Sequence, residues 1–294
     1  MGMVDGKVCL VTGGASNPGL GHAIAHKLAD EGAIVIVTDI DGEGAATTAA
    51  EIVAAGGRAQ AWQQDVTEEA AWDTTMAAIQ SEHGRLDALI NNAGIAVPGP
   101  LQCMSEEDFV RQLDINLLAV RRITNLFLPL LGATPNFDGT PGKIINISSI
   151  SGLFNSPFNG AYSISKHALE SMTDVYRREL RRYGIKVIAI EPGPIKTDIW
   201  QKNLNSMEKY ASTDYYDVLK KADTMIENAE KSALPVSLIS TLILKCVTKK
   251  NPKTRYIVHR KKFMFKILAY YLPDKLVDWF IHKTLTSGNK HRPI

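Results

Sequence analysis

The stretch V-T-G-G-A-S-N-P-G-L-G, Val11–Gly21, ends an apolar run and leads into a helical pattern. In a glycine-rich turn between a strand and a helix, backbone N–H groups and the helix N-terminus receive the phosphates of a nucleotide. Glycines alone are weak evidence, because tight turns require them in any case. Asn17 and Pro18 lengthen this turn, and Pro18 has no N–H group to donate to a phosphate. Evidence that this loop binds a cofactor must therefore come from the sequence on either side of it.

Outward from the loop, short runs rich in Val and Ile alternate with longer helical patterns. The predicted strands are Val8–Thr12, Ile34–Asp39, Ala59–Gln64, Ala88–Asn91, Lys143–Ser148, Lys186–Glu191 and Arg255–His259. The predicted helices are Leu20–Glu31, Gly42–Ala55, Glu68–His83, Ser105–Leu128, Ala161–Tyr183 and Pro235–Thr248. Strands that alternate with helices of this length form right-handed βαβ units. The sequence therefore predicts an α/β protein, a single doubly wound Rossmann-type domain with a seven-stranded parallel sheet and helices on both faces.

The composition fits one large domain. The chain has 294 residues, 45% of them hydrophobic and 22% charged, as in ordinary globular proteins. It has no apolar run of 18 residues, and its start lacks the apolar stretch of a signal peptide. Three scattered cysteines suit a reducing compartment. We therefore expect a cytoplasmic protein, with a dinucleotide-binding and catalytic domain over residues 1–260 and a C-terminal appendage over residues 261–294.

That appendage is basic and amphipathic. Residues 1–147 hold 8 Lys and Arg against 18 Asp and Glu, a net charge of −10, whereas residues 148–294 hold 25 against 13, a net charge of +12. Apolar residues of the tail fall toward one helical face: Leu276, Val277, Phe280, Ile281 and Leu285. Two interpretations remain open, peripheral contact with a membrane surface and packing against the body or a partner subunit. No nucleic-acid recognition motif is present, so we expect no nucleic-acid partner, and we expect a homodimer or homotetramer.

Asp39 bears on the choice of cofactor. It ends the second predicted strand, 20 residues after Gly19, where a carboxylate accepts hydrogen bonds from the adenosine ribose. The 2′-phosphate of NADP would meet this negative charge, and no Lys or Arg occurs between Lys27 and Arg58 to compensate for it. The sequence therefore predicts NAD rather than NADP.

Tyr162 and Lys166 are the candidate acid/base pair. They lie four residues apart in Y-S-I-S-K and so share one face of a predicted helix. Because a nearby ammonium ion favours the phenolate, we expect Lys166 to lower the pKa of Tyr162 from about 10 toward working pH. Tyr162 would then remove the hydroxyl proton as hydride leaves the carbon, or donate a proton during reduction. Ser149, at the end of a predicted strand, would hydrogen-bond the substrate oxygen.

Five motifs, in this order, resemble those of the short-chain dehydrogenase/reductase family over about residues 5–260. They are the glycine loop, N-N-A-G at Asn91–Gly94, I-S-S at Ile147–Ser149, Y-S-I-S-K at Tyr162–Lys166 and P-G-P-I-K-T at Pro192–Thr197. The latter half is most similar to steroid and retinol dehydrogenases, and the first half to general alcohol dehydrogenases and oxoacyl reductases. The resemblance implies that Lys166 also holds the nicotinamide ribose and that Asn116, in L-D-I-N, supports a water-mediated proton relay.

The same resemblance implies a set of cofactor contacts. They are Gly13, Asn17, Gly19, Leu20, Gly21, Asp39, Asp65, Val66, Asn92, Gly94, Tyr162, Lys166, Pro192, Ile195 and Thr197. Asp65 and Val66 would border the adenine, and Ile195 and Thr197 would meet the carboxamide and pyrophosphate. Family members commonly have three residues between the first two glycines of the loop, where this chain has five. Since the later motifs are intact, we expect the loop to bind its cofactor with Asn17 and Pro18 bulged outward.

The predicted activity is the NAD-dependent interconversion of a secondary alcohol and a ketone. Leu153, Phe154 and Phe158 follow Ser149 closely and are expected to line a pocket for a bulky apolar substrate that is steroid-, retinoid- or lipid-like. The polar, Tyr-rich segment Gln201–Lys231 is long enough to cover it. The alternatives are an oxoacyl-thioester or small-alcohol dehydrogenase/reductase, and a catalytically silent dinucleotide-binding regulatory protein.

His22 and His26 have the i, i+4 spacing of a pair of metal ligands. They belong to the helix that follows the glycine loop, and the sequence indicates no third ligand. We therefore expect no metal site.

Overall fold

The computed structural model describes residues 2–197, 208–219 and 231–286. Its strands are β1 (Val8–Thr12), β2 (Ile34–Asp39), β3 (Arg58–Gln63), β4 (Ala88–Asn91), β5 (Lys143–Ile147), β6 (Lys186–Pro192) and β7 (Arg255–Val258). They form one seven-stranded parallel sheet in the order β3-β2-β1-β4-β5-β6-β7. The strand order reverses between β1 and β4, and open α/β sheets bind ligands at such a switch point. The predicted doubly wound α/β fold is confirmed.

The helices of the described ranges lie between and after these strands. They are α1 (Leu20–Asp30), α2 (Gly42–Ala54), α3 (Glu69–His83), α4 (Glu106–Leu113), α5 (Ala119–Phe127), α6 (Gly160–Glu179), α7 (Val236–Thr248), α8 (Lys262–Tyr270) and α9 (Asp274–Thr286). The last two form the described part of the predicted appendage. None of the helices in these ranges has both the length and the apolar character needed to cross a membrane.

Two apolar layers cover the two faces of the sheet. In β1, Cys9 and Val11 belong to one layer and Val8 and Leu10 to the other, because successive side chains of a strand point to opposite faces. A strand that is buried on both faces needs apolar residues at every position. This explains why the central strands read as continuous apolar runs in the sequence.

The predicted helix Ser105–Leu128 is interrupted. A π-helical turn, Asp114–Leu118, separates α4 from α5. Within this turn Asn116 is buried, and its side chain binds the backbone of Ile95 in both directions, since Oδ1 accepts from the N–H group and Nδ2 donates to the carbonyl, each at 2.9 Å. The π turn thus turns Asn116 toward the loop after β4, and such turns occur frequently at functional sites.

Candidate active site

The glycine loop lies between β1 and α1 at the switch point of the sheet. Gly13 has a φ of +71°, a conformation that favours glycine, and a Cβ on Gly21 would clash with the carbonyl oxygen of Gly13. The side-chain amide of Asn92, just after β4, donates to the carbonyl oxygens of Thr12 and Gly13 at 2.9 Å each. The loop is therefore tied to the neighbouring strand, and the helix packs directly on its backbone.

The lengthened part of the loop lies at the surface. Ser16, Asn17 and Pro18 are exposed, whereas Gly19 is buried and Leu20 lines the large cavity described below. Gly94 lies on the far side of the loop, where a Cβ would come within 3.1 Å of the Asn116 side-chain oxygen. The absence of side chains at these glycines keeps the path from the loop to Asn116 open to an extended ligand. A dinucleotide fits this cradle.

Asp39 lies at the carboxyl end of β2, beside the loop. Its carboxylate accepts hydrogen bonds from the backbone N–H groups of Ala15 at 2.9 Å and Asp41 at 3.1 Å. Arg58 begins the neighbouring strand β3, level with the amino end of β2, where it pairs with Asp5 at 3.0 Å. Arg58 is the first of the six residues of β3, and the last of them lies beside Asp39. At 3.3 Å per residue, Arg58 is therefore roughly 16 Å from Asp39 along the strand.

The remaining predicted adenine contacts lie outside the cavity. Asp65 accepts hydrogen bonds from the N–H group and hydroxyl of Thr67, at 2.8 and 2.7 Å. Val66 packs against the apolar layer that contains Trp72. These residues follow β3, so they lie on the same half of the sheet as Asp39.

Ser149, Tyr162 and Lys166 line one cavity at the carboxyl edge of the sheet. Ser149 directly follows β5 and Ser148, and the other two lie one turn apart on α6. The Lys166 Nζ donates to the carbonyl oxygen of Ile147 at 2.9 Å and lies 5.6 Å from the centre of the Tyr162 ring. The structure thus brings three of the four predicted catalytic residues together in one cavity.

Burial dominates the titration of this pair. It raises the pKa of Tyr162, and a side-chain hydrogen bond with Ser149 acts in the opposite direction. Burial also lowers the pKa of Lys166 to about 8, while the charge of Glu170 partly offsets the change. The expected lowering of the Tyr162 pKa is therefore wrong, because burial disfavours the charged phenolate and is the largest influence on this group.

Asn116, the fourth predicted catalytic residue, does not line the cavity but lies in the π turn beside it. Besides the Ile95 backbone, its Nδ2 reaches the hydroxyl of Ser165 on α6 at 3.0 Å. The amide therefore connects the loop after β4 to the helix that carries Tyr162 and Lys166. In the structure Asn116 therefore fixes the loop after β4 relative to α6.

The cavity has a volume of about 620 Å³. Of the predicted cofactor and substrate residues, those that line it are Leu20, Asn92, Gly94, Pro192, Ile195, Thr197, Phe154 and Phe158, together with the catalytic pair. Leu153 does not line it. It follows a single 3₁₀ turn, Ile150–Gly152, in which neighbouring side chains point in different directions, so Leu153 and Phe154 do not both face the cavity.

The tail supplies a wall of the cavity that sequence reasoning missed. The lining residues from it are Leu268 of α8 and Val277, Phe280, Ile281 and Leu285 of α9. Phe265 of α8 stacks edge-on against Phe154, with ring centres 6.2 Å apart. The amphipathic pattern of the tail was visible in the sequence, but a pattern alone does not say what the apolar face covers.

A described part of the predicted cover also lies beside the cavity. Of Gln201–Lys231, residues 208–219 and 231 are described and the rest lies outside the described residues. Tyr210 and Leu219 are buried in a small apolar cluster with Phe158, whose ring meets Tyr215 with centres 5.8 Å apart. Phe158 has a φ of +63°, which is unusual for a bulky residue and often marks a functional site.

A dinucleotide cradle beside a serine, a tyrosine and a lysine in one cavity defines a nicotinamide-dependent oxidoreductase of the Rossmann type. Comparison with known families agrees, because the model of the family described as short chain dehydrogenase matches residues 7–208. The chain therefore belongs to the short chain dehydrogenase family. It is an oxidoreductase that acts on alcohols or ketones and binds a nicotinamide dinucleotide.

Relatives with different substrates resemble the chain. It is 40% identical over 223 residues to the NADPH-dependent 3-dehydrocapnine reductase of Ornithobacterium rhinotracheale, with 75% of this chain and 78% of the relative covered. It is 38% identical to the cyclopentanol dehydrogenase of Comamonas testosteroni, with 70% and 80% covered. It is 30% identical to the 3-ketodihydrosphingosine reductase of Bacteroides thetaiotaomicron, with 93% and 96% covered. A metagenomic short-chain oxidoreductase solved in complex with NADP shares 27% identity and a TM-score of 0.69, with 87% and 98% covered.

Proposed function

We propose that this protein is an NAD-dependent oxidoreductase that interconverts a secondary alcohol and a ketone on a bulky apolar molecule. The observation that carries the proposal is the wall that α8 and α9 add to the catalytic cavity. The cavity of about 620 Å³ is also lined by the predicted cofactor contacts Asn92, Ile195 and Thr197, so it would hold the nicotinamide end of the cofactor together with the substrate. A small alcohol would leave this apolar wall in contact with water.

Ser149, Tyr162 and Lys166 lie close together in the cavity. Ser149 and Tyr162 offer hydroxyl groups to the reacting oxygen, and Lys166 adds a positive charge beside them. Phe154 and Phe158 also line the cavity, and the ring of Phe154 contacts Phe265 of the tail. A ligand with one carbonyl or hydroxyl group on a long apolar body matches this combination of polar and apolar side chains.

Ketone reduction uses the protonated form of Tyr162, and burial raises the pKa of this group. At neutral pH the group is a phenol, the form that donates a proton to the oxygen of a ketone. The bound nicotinamide would supply the hydride for the carbon. Ser149 would hold the carbonyl oxygen within reach of the phenol, and Lys166 would hold the nicotinamide ribose. Two of the relatives are reductases of a 3-dehydro and a 3-keto compound, which supports this direction.

Asp39 supports NAD as the cofactor. Its carboxylate lies at the carboxyl end of β2, and Arg58, the next basic residue along the chain after Lys27, lies at the amino end of the neighbouring strand β3. Lys27 is paired with Glu31 at 3.0 Å. The 2′-phosphate of NADP would thus approach a carboxylate, and neither Lys27 nor Arg58 would compensate for its charge. One relative is NADPH-dependent, so this chain would differ from it in cofactor.

The outer face of the tail suits an anionic membrane surface. Phe263 is 72% exposed, Tyr271 79% and Trp279 52%, in a segment that also carries several lysines. Aromatic rings beside basic groups bind the interface of a bilayer that contains anionic lipid. Other residues of the same tail line the cavity, so a lipophilic substrate would enter where such molecules concentrate. Sedimentation with anionic and with neutral vesicles measures this contact, and no binding to either would exclude it.

The enzymatic proposal is tested by steady-state reduction with NADH. A steroid-sized or long-chain ketone and cyclopentanone are compared at equal cofactor concentration. We expect kcat/KM to be higher for the bulky ketone by about 10-fold or more, since each apolar group buried in a pocket contributes to transition-state binding. A preference for cyclopentanone would reject the substrate class, and no turnover of any ketone or alcohol would reject the activity.

A further inference from the structure

His22 and His26 meet a third polar group in the folded chain. They lie one turn apart on α1, and Glu51 of α2 reaches both of them. The Glu51 Oε2 lies 2.9 Å from the Nε2 of His22 and 3.2 Å from the Nε2 of His26. All three ligand atoms lie within 4.8 Å of one another, and the centres of the two imidazole rings are 4.4 Å apart.

These separations match those around a metal ion. In tetrahedral coordination with bonds of about 2.0–2.2 Å, neighbouring ligand atoms lie about 3.3 Å apart. The two measured contacts differ from this value by a few tenths of an ångström, which small side-chain rotations supply. Because both imidazoles face the same carboxylate oxygen, an ion between the three groups would replace two hydrogen bonds with three metal–ligand bonds.

The ligand set selects the class of ion. Two imidazole nitrogens and one carboxylate suit Zn²⁺ and its neighbours in the first transition row, whereas Mg²⁺ and Ca²⁺ prefer oxygen ligands throughout. The side chains of His22, His26 and Glu51 are 15%, 27% and 44% exposed, so an ion and a water ligand reach them from solvent. The half of the chain that carries them has a net charge of −10, which attracts cations.

We propose that His22, His26 and Glu51 bind one Zn²⁺ ion that links α1 to α2. None of the three lines the catalytic cavity, so the ion takes no part in hydride or proton transfer. Its effect is on stability and on the cofactor loop. The first of these helices begins at Leu20, directly after the glycine loop, and the second begins three residues after Asp39. A clamp between them fixes the two segments that face the adenosine half of the cofactor.

The test is a titration of the chelator-stripped full chain with ZnCl₂, followed by calorimetry and by thermal unfolding. We expect one ion per chain and a higher Tm with Zn²⁺, because a ligand that binds only the folded state stabilises it. Mg²⁺ at the same concentration should leave the Tm unchanged. His22→Ala, His26→Ala and Glu51→Gln should each weaken Zn²⁺ binding by at least about 10-fold, the loss reported even for residues that only support metal ligands.

His83→Ala is the matched control. His83 is another helical histidine beside a glutamate, 3.7 Å from Glu82, but it lacks a second imidazole. Its removal should change neither the stoichiometry nor the affinity. The proposal is overturned if Zn²⁺ leaves the Tm unchanged, or if His22→Ala and His26→Ala bind Zn²⁺ as the control does. In either case Glu51 is only a hydrogen-bond acceptor between two helices.

Discussion

At the scale of single residues, burial favours the neutral forms of both Tyr162 and Lys166. The pKa of Tyr162 rises above its ordinary value and that of Lys166 falls to about 8. Their positions one turn apart were predictable, because the spacing on a helix follows from the sequence. The direction of the Tyr162 shift was not, since it depends on how much water the folded chain removes from the ring.

Tyr162→Phe removes the proton donor and little else. The ring remains, so the cavity keeps its shape and the cofactor its contacts. We expect kcat to fall by about 100-fold or more, the usual share of general acid catalysis, with the dissociation constant of the dinucleotide nearly unchanged. Steady-state rates and a fluorescence titration with NADH measure the two quantities. Substantial residual turnover would show that another group donates the proton.

Asp39→Ala tests the basis of cofactor choice. In the unmodified protein kcat/KM should be higher with NAD than with NADP. Removing the carboxylate should lower the ratio of kcat/KM with NAD to kcat/KM with NADP by about 10-fold, because placing the like charges of the carboxylate and the 2′-phosphate together costs a few kcal/mol. Asp41→Ala is the control, since Asp41 caps α2 by accepting from the N–H group of Gly44 at 3.0 Å. Equal kcat/KM for both cofactors in the unmodified protein would contradict this role of Asp39.

At the scale of elements, the strands were the most predictable part. The central strands appear as unbroken apolar runs because both of their faces are buried. The edge strand Arg58–Gln63 is only half-buried, so its composition carries little signal and its predicted bounds are one residue off. The π turn at Asp114–Leu118 was not predictable, because it depends on the distant backbone of Ile95, which Asn116 binds.

The contacts made by the tail could not be predicted from its sequence alone. Its amphipathic pattern predicted an apolar face. In the folded chain that face lines a cavity whose other walls come from distant segments of the chain. Phe265 joins the two, because its ring contacts both Phe154 and His259, the latter with centres 4.5 Å apart. Contacts of this kind form only in the folded chain and leave no local trace in the sequence.

Phe265→Ala should loosen the tail. The variant loses the two ring contacts that join α8 to the cavity, so we expect faster trypsin cleavage after Lys261 or Lys262 with the rest of the chain intact. Phe263→Ala is the control, since Phe263 is two residues away and 72% exposed. Gel analysis of timed digests gives the cleavage rates. Equal rates for the two variants would mean that Phe265 does not anchor the helix.

At the scale of the whole molecule, one partly buried cluster joins three carboxyl groups to Arg255, and the carboxyl group of Asp174 also pairs with Arg177 and Arg178. Arg255 lies 3.3 Å from Glu191, 2.9 Å from Glu170 and 3.1 Å from Asp174. Burial, and then the charge of Glu170, raise the pKa of Glu191 to about 8, while Arg255 acts in the opposite direction. One guanidinium group therefore faces three carboxyl groups at the junction of β6, β7 and α6.

This cluster makes stability depend on pH. A carboxyl group whose pKa is raised on folding does not lower the free energy of unfolding while it is protonated in both the folded and the unfolded state. As the pH rises from about 4.5 to about 8, the group lowers the free energy of unfolding progressively. Glu191→Gln should therefore unfold at a higher urea midpoint than the unmodified protein at pH of about 8.5, with the difference shrinking toward pH of about 5. Glu179→Gln, at an exposed position, is the control. A pH-independent difference would contradict the raised pKa of Glu191.

The central claim is that α9 closes a cavity for bulky ketones over Ser149 and Tyr162. The most direct measurement is the kcat/KM ratio for a bulky ketone against cyclopentanone, taken for the unmodified protein, for Ile281→Ala and for Tyr271→Ala. Ile281 lines the cavity, and Tyr271, on the same tail, is 79% exposed. We predict that Ile281→Ala lowers the ratio by about 10-fold and that Tyr271→Ala leaves it unchanged. A ratio below one in the unmodified protein, or equal effects of the two variants, would contradict the claim.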